Sequence, residues 1–370
     1  MILGYFLQLM LKTKPKKILI ITNKILKYRD DFYRILGKEI DLTVIHHGSF
    51  NSKKNYRIEK TEIKNHFGFY YYKGLIEFIQ KENFDVIISI FDLRFLNIYS
   101  LITSCYRSRL LFWGIGISTE NGLKEKKVLD YFRLIIASKA KGLILYSQSV
   151  KDYYISKKFS KNIFVAVNST KISKNANAVI DNTNSFNFIF VGSLAPRKGV
   201  DFFLKAFSEV IKQNICKKIL KILIVGEGPE KEELKGLVEV LNLQESVCFY
   251  GKISDPNRLT ELYKKSLLSF SINQAGLSVL QSLGNGVPVI ASEDAITGGE
   301  LYNIIEGETG FLVPSGTEEE KINYLTNLII KVIDNEEQIK SMRVVCRQHY
   351  LKKASLKQMK NTFITAINTI

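Results

Sequence analysis

Short apolar runs recur along the chain at residues 17–21, 41–46, 85–90, 109–116, 143–146, 163–167, 187–191, 219–225, 247–253 and 267–272. Each is bounded by polar or glycine-bearing turns and reads as a buried strand. Helical periodicity fills the intervals at 31–36, 150–155, 230–241, 277–283, 318–333 and 336–354, and a last stretch covers 356–370. This repeated strand, turn, helix, strand order predicts an α/β fold with parallel sheets. Between 171 and 185 the apolar period is lost and Asn, Lys, Ser and Thr take over, which reads as a linker.

The 370 residues leave room for two domains, and 46% hydrophobic content can fill two cores. The first domain is placed at 1–170, the linker at 171–186 and the second domain at 187–350, with 351–370 as a terminal helix that crosses back to the first. The opening apolar run, Met1 to Leu11, falls well short of the roughly 20 residues that span a bilayer. Lys12, Lys14, Lys16 and Lys17 follow it, the wrong side for a signal peptide. The run either lies in a membrane interface or forms an extra helix on the first domain. No other segment is long and apolar enough to span.

Cys105, Cys216, Cys248 and Cys346 show no short spacing, which argues against a disulfide framework and a zinc knuckle and fits a reducing compartment. Asn168-Ser169-Thr170 then reads as a chance match to a glycosylation acceptor. The formal charge of +17 comes without any nucleic-acid recognition motif. An anionic membrane surface or a diphosphate-bearing substrate suits it better, alongside lysines that are merely solvated. Adjacent His46 and His47 point to opposite faces of a strand and cannot easily share a metal. The aromatic run 66–72 reads either as a stacking platform or as core plus a helix start. Loops at the carboxyl ends of the first strands make Asn23, Arg29, His46 and His47 candidates to face a ligand.

The stretch 267–291 carries the most specific chemistry. A strand ends in Asn273, Gln274, Ala275 and Gly276, a helix follows, and a second strand starts at Val287. Gly276 lets the backbone approach a ligand, and the free N–H groups of Leu277 and Ser278 form an anion site. Gln281, one turn on, points back toward the same mouth.

This stretch resembles the donor-site signature of retaining glycosyltransferases of family 4, in which two glutamates separated by seven residues precede a Gly-x-Pro-Val-Ile strand. Gly286-Val287-Pro288-Val289-Ile290 matches that strand, while Asn273 and Gln281 stand where the family has glutamates. The loop 192–201 resembles the family's Gly-Arg-Leu-x-x-x-Lys-Gly, with Lys198 at the lysine, Ser193 at the arginine and Arg197 as a substitute cation. Gly226 opens a Gly-x-Gly-Pro turn, 247–253 resembles the strand and loop that touch the base, and Thr297-Gly298-Gly299-Glu300 a glycine-rich turn with an acid. In the first half, Trp113-Gly114-Ile115-Gly116 resembles Trp-Gly-His-Gly, with Ile115 in place of the histidine. The resemblance is specific over 187–313 and architectural before 168.

The resemblance implies a GT-B fold, two Rossmann-like domains facing across a cleft, and a nucleoside diphosphate-sugar donor. The base would lie toward Gly251, Lys252 and Ile253, the ribose near Gln281, and the diphosphate on Lys198, Arg197 and the helix start at Gly276, Leu277 and Ser278. Gly192, Ser193, Gly226 and Ala275 complete the donor side. Glu300 either bonds a ligand hydroxyl or caps the helix it opens. Lys198, Arg197 and Asn273 are the catalytic candidates; Asn23, Gly114, Ile115 and Glu120 are the acceptor-side ones. No metal or cofactor is expected, because positive side chains take over the cation's task.

The expected function is retaining sugar transfer to a glycan or lipid-linked acceptor in bacterial surface polysaccharide assembly, capsule or lipopolysaccharide. The expected location is the cytoplasm, with peripheral contact at the inner face of the membrane and no nucleic-acid partner. A catalytically degenerate binding or partner subunit is the alternative that Asn273, Gln281 and Ile115 favour. A sugar-nucleotide epimerase is a third reading, against which the shortage of histidine argues.

Overall fold

Strands buried on both faces of a parallel sheet need near-continuous apolar sequence, and the runs at Lys17–Ile21 and Ile219–Val225 supply it. The computed structural model describes residues 15–50, 55–117, 127–180, 185–214 and 218–370. Among these, 15–117, 127–166 and 359–370 form one compact unit and 167–358 a second. Glu120, Cys216 and the opening run lie outside the described residues.

The first unit is built on strands β1 (Lys17–Ile21), β2 (Asp41–His46), β3 (Arg57–Lys60), β4 (Ile63–His66), β5 (Phe69–Tyr72), β6 (Val86–Ile90), β7 (Leu110–Gly114), β8 (Gly142–Leu145) and β9 (Asn162–Val165). Seven of them form one parallel sheet in the order β3-β2-β1-β6-β7-β8-β9. The strand order reverses between β1 and β6, so the loops after β1, β6 and β7 open side by side. Most of the final helix, Leu356–Ile367, belongs to this unit. Phe363 meets Phe32 at 4.8 Å and Trp113 at 5.0 Å, both edge-on, and Lys16 Nζ donates to the Ile367 carbonyl at 3.1 Å.

The aromatic run 66–72 is a correction. It forms no helix start: β4 and β5 pair antiparallel around Phe67 and Gly68, both at positive φ, and a helix begins only at Leu75. The period is two, so Tyr70 and Tyr72 turn inward while Phe67 and Phe69 stay exposed. The Tyr72 hydroxyl donates to the Thr22 carbonyl at 2.7 Å and Tyr70 to Asn23 Oδ1 at 2.8 Å, so the hairpin braces the loop after β1.

The second unit carries β10 (Ser185–Val191), β11 (Ile219–Val225), β12 (Val247–Gly251), β13 (Ser266–Phe270), β14 (Gln274–Ala275), β15 (Val289–Ser292), β16 (Ile296–Thr297) and β17 (Gly310–Val313). Its main sheet is parallel in the order β12-β11-β10-β13-β15-β17, and β14 pairs with β16 in a short ladder. Phe188, Phe190, Phe203, Phe207 and Phe270 fill one side of the sheet, with Phe203 stacked on Phe270 at 3.9 Å.

The helix predicted over 336–354 ends instead at His349, and Tyr350–Ala354 widen into a π turn. Residues 167–180 run along this unit and are tied to it. Fully buried Arg343 donates to the carbonyls of Ala178 at 3.1 Å, Val179 at 3.3 Å, Ser266 at 2.6 Å and Tyr263 at 3.4 Å. Truncating it strands the Ser266 and Tyr263 carbonyls out of water. Arg343→Ala is therefore expected to lower stability by about 3–5 kcal/mol, read as the midpoint of urea unfolding; an unchanged midpoint would contradict this account.

Candidate functional site

In an open parallel sheet, ligands meet the loops at the carboxyl ends of strands where the strand order reverses. In the second unit that point lies between β10 and β13, which are neighbours although β11 and β12 intervene in sequence. The loops leaving these strands, 192–199 and 271–276, hold most of the residues that the sequence singles out.

Three loops cross here at backbone contact. Gly192 N–H donates to the Val225 carbonyl at 3.0 Å, and Gly226 N–H to that of Gly251 at 2.9 Å. A Cβ on Gly226 would overlap the Gly192 carbonyl oxygen, and one on Gly228 the Leu194 carbonyl oxygen. Only glycine fits either place.

After this crossing, Pro196–Lys198 makes a single 3-10 turn, and Gly199 at φ 64° turns the chain into the helix Val200–Gln213. The Asn273 side chain lies against Gly199, where a Cβ would come within 2.7 Å of its amide nitrogen. Asn273 N–H also donates to the Lys198 carbonyl at 3.4 Å. Arg197 Nε donates to Gln274 Oε1 at 2.9 Å, which fixes the guanidinium on the second loop. Lys198, Arg197, Asn273 and Gly276 thus share one mouth.

The electrostatics of that mouth are unbalanced. Burial, then the neighbouring Arg197 charge, pull the Lys198 pKa below the ordinary lysine value, while Glu300 pulls the other way. Two cations side by side, one partly desolvated, attract an anion. Beyond them the helix Leu277–Gly284 starts at Gly276, and among the described residues no side chain caps its first amides and a Cβ on Gly276 would meet nothing within 4 Å. Uncapped amides, the helix dipole and two cations together create a field that favours an anion.

Other singled-out residues fall around it. Ala275 is buried, Gln281 is half-buried one turn into the helix, and Ser193 and Lys252 are exposed. Ile253, like Val191 and Cys248, packs against a buried cluster that includes Ile189, Leu223, Val225 and Tyr263, and Gly251 turns at φ 65°. Glu300 is buried, opens a 3-10 turn, and accepts from Gly298 N–H at 3.0 Å and from Asn168 Nδ2 at 3.3 Å.

In the first unit, Gly114 ends β7 and Ile115 is half-buried behind it. Sequence reasoning missed Gln274, which holds Arg197, and Ser271, whose hydroxyl donates to the Gln274 carbonyl at 2.6 Å. Among the described residues no cluster of His, Cys, Asp and Glu could hold a metal ion, and no helix is long and apolar enough to cross a membrane.

Residues 170–348, just under half of the chain, match the family model for glycosyl transferases group 1. A poly(ribitol-phosphate) alpha-N-acetylglucosaminyltransferase of Staphylococcus aureus (strain COL) is 22% identical over 233 residues, 63% of this chain and 45% of that protein. The chain spans 45% and 51% of the lengths of the first two curated relatives it matches. A glycosyltransferase from Rickettsia africae ESF-5 superposes with a TM-score of 0.70 at 16% identity, covering 96% of this chain and 99% of that one. The Anabaena protein HepE, solved in complex with UDP, gives 0.68 at 16% identity over 96% and 100%. The fold is GT-B, an α/β architecture of two Rossmann-like domains.

A lysine whose pKa is lowered by folding costs stability while it is charged. That cost is present below the folded pKa and fades as pH rises toward the unfolded value. Lys198→Met is therefore expected to melt higher than wild type at pH 7, with the gain closing above pH ~10.4, the unfolded lysine value. Scanning fluorimetry across pH checks this, and a lower melting temperature at pH 7 would contradict it.

Proposed function

We propose that this chain is a glycosyltransferase that moves a sugar from a nucleoside diphosphate donor to an acceptor with retention at the anomeric carbon. The observation that carries this reading is the anion site at the β10/β13 reversal, where Lys198, Arg197 and the uncapped helix start at Gly276 converge. The match of residues 170–348 to glycosyl transferases group 1 supports it, as do structural neighbours solved with UDP.

The diphosphate sits on the Lys198 ammonium, the Arg197 guanidinium and the amides of Leu277 and Ser278. Arg197 offers a fork of donors whose position Gln274 already sets, so little ordering is needed on binding. Gln281 meets the ribose diol as donor or acceptor, and the segment from Gly251 to Ile253 meets the base. As the bond from C1 to the diphosphate oxygen breaks, its electron pair moves onto the phosphate, and these cations stabilise it. The acceptor hydroxyl bonds to C1 on the face just vacated and gives its proton to the departing oxygen. Asn273, an amide, is neither base nor nucleophile and holds the sugar by hydrogen bonds. No metal is required, since Lys198 and Arg197 supply the positive charge.

In this reading the acceptor is a glycan or lipid-linked intermediate of bacterial surface polysaccharide assembly. The enzyme works in the cytoplasm and touches the inner face of the membrane peripherally. The excess of basic residues supports that location. Asn273 and Gln281 favour one rival, a binding subunit that keeps the donor site without turnover.

The test is turnover of UDP-, GDP-, ADP- and dTDP-sugars, with the anomeric configuration of the product read by NMR. A retained anomer is expected, and Lys198→Ala should lower kcat/KM by about 10²–10³-fold. An inverted product, or full activity in Lys198→Ala, would overturn the proposal. Tight nucleotide binding with no turnover of any donor would select the binding subunit.

A further inference from the structure

The first unit holds a cavity of about 440 Å³ at the carboxyl ends of β1, β6 and β7, walled by Lys24, Tyr28, Arg29, His47, Trp113 and Tyr146 among others. This volume suits a sugar-sized ligand. Arg29 comes from the first turn of the helix Lys27–Leu36 and is 8% exposed. Its Nη2 donates to the Tyr146 hydroxyl at 2.8 Å and its guanidinium lies 4.3 Å over the Trp113 ring. Arg29 Nη1 and Trp113 Nε1 are buried and meet no hydrogen-bond acceptor among the described residues. Among the described residues the wall contains two cations, Lys24 and Arg29, and no Asp or Glu. Asp30, the next residue, is taken by Arg34 and by the Tyr56 hydroxyl at 2.8 Å. Burial, then the Lys24 charge, hold His47 below the usual imidazole value, so at neutral pH it adds a ring nitrogen and no charge.

A buried guanidinium with an unmet donor and no carboxylate beside it is costly unless a ligand supplies the anion. The helix Lys27–Leu36 adds to the field, since Leu26 before it offers no capping side chain.

We propose that this pocket binds the phosphate or carboxylate of an acidic acceptor, with Arg29 and Lys24 as the residues that select for it. That the ligand is an acceptor rests on the glycosyltransferase reading; that the pocket binds an anion does not. Arg29 holds the acid group between the ring of Trp113 and the hydroxyl of Tyr146, and Lys24 closes over it from the exposed rim. A neutral acceptor leaves the guanidinium charge without a counter-ion and binds more weakly.

Trp113 is the only tryptophan of the chain, so its fluorescence reports this pocket directly. The experiment titrates the full-length protein, without nucleotide, with inorganic phosphate against sodium chloride of equal ionic strength. A saturable change with phosphate alone is expected, lost in Arg29→Gln and several-fold weaker in Lys24→Ala. Lys24 is exposed, so that variant carries the test if Arg29→Gln fails to fold. Lys198→Ala should leave the signal unaltered.

No saturable change in wild type, or an undiminished one in both pocket variants, overturns the proposal. The donor diphosphate is the other source of such an anion, so UDP is titrated as a second arm in Lys198→Ala. Displacement of phosphate by UDP there would assign the pocket to the donor and overturn the acceptor role. Since neither arm requires turnover, failure here is separable from failure of the proposed reaction.

Discussion

The second unit depends on a close crossing of backbones. The loop after β11 can pass under the loop after β10 only because Gly226 and Gly228 bring no Cβ against the carbonyls of Gly192 and Leu194. That crossing sets the direction in which the chain leaves β10, and so the position of the turn carrying Arg197 and Lys198. Gly199 at φ 64° then finishes the turn, and the Asn273 side chain fills the space a Cβ would need. Backbone geometry therefore places the cations before any side-chain pairing acts.

Charge follows from this placement. A lysine beside an arginine, partly withdrawn from water, lies in an unfavourable field unless an anion arrives. Folding supplies partial compensation through Glu300, which is itself held by the Gly298 amide and Asn168. In the first unit the same logic appears in other residues: Arg29 is buried against aromatic rings with one donor unmet. Both units thus gather positive charge at the carboxyl ends of parallel strands, where strand order reverses and loops are free to carry it.

Much of the fold was legible because parallel strands leave a plain trace. Lys17–Ile21, Asp41–His46 and Ile219–Val225 coincide with the apolar runs, since two-sided burial removes polar positions. The hairpin at 63–72 was not legible. Its alternation spans few residues, and the turn depends on Phe67 taking a positive φ that sequence alone does not announce. The π turn at Tyr350–Ala354 was likewise hidden inside one helical period.

In the site, Asn273 and Gly276 stood out because a strand-to-helix turn marks their loop, and Lys198 because its loop resembles the Gly-Arg-Leu-x-x-x-Lys-Gly of family 4 glycosyltransferases. Gln274 and Asn168 did not, since each acts by hydrogen-bonding a neighbour from another loop. The Arg29 pocket was least legible of all, because Lys24, Arg29, Trp113 and Tyr146 come from separate crossings of the sheet and only the fold brings them together.

The central claim is that Lys198 and its neighbours grip a diphosphate. Calorimetry of a nucleoside monophosphate and the matching diphosphate, on wild type and Lys198→Ala, tests it most directly. The expected result is that the variant loses most of the added affinity of the diphosphate and binds the monophosphate nearly as well as wild type does. Equal losses for both ligands, or none for the diphosphate, would contradict the account.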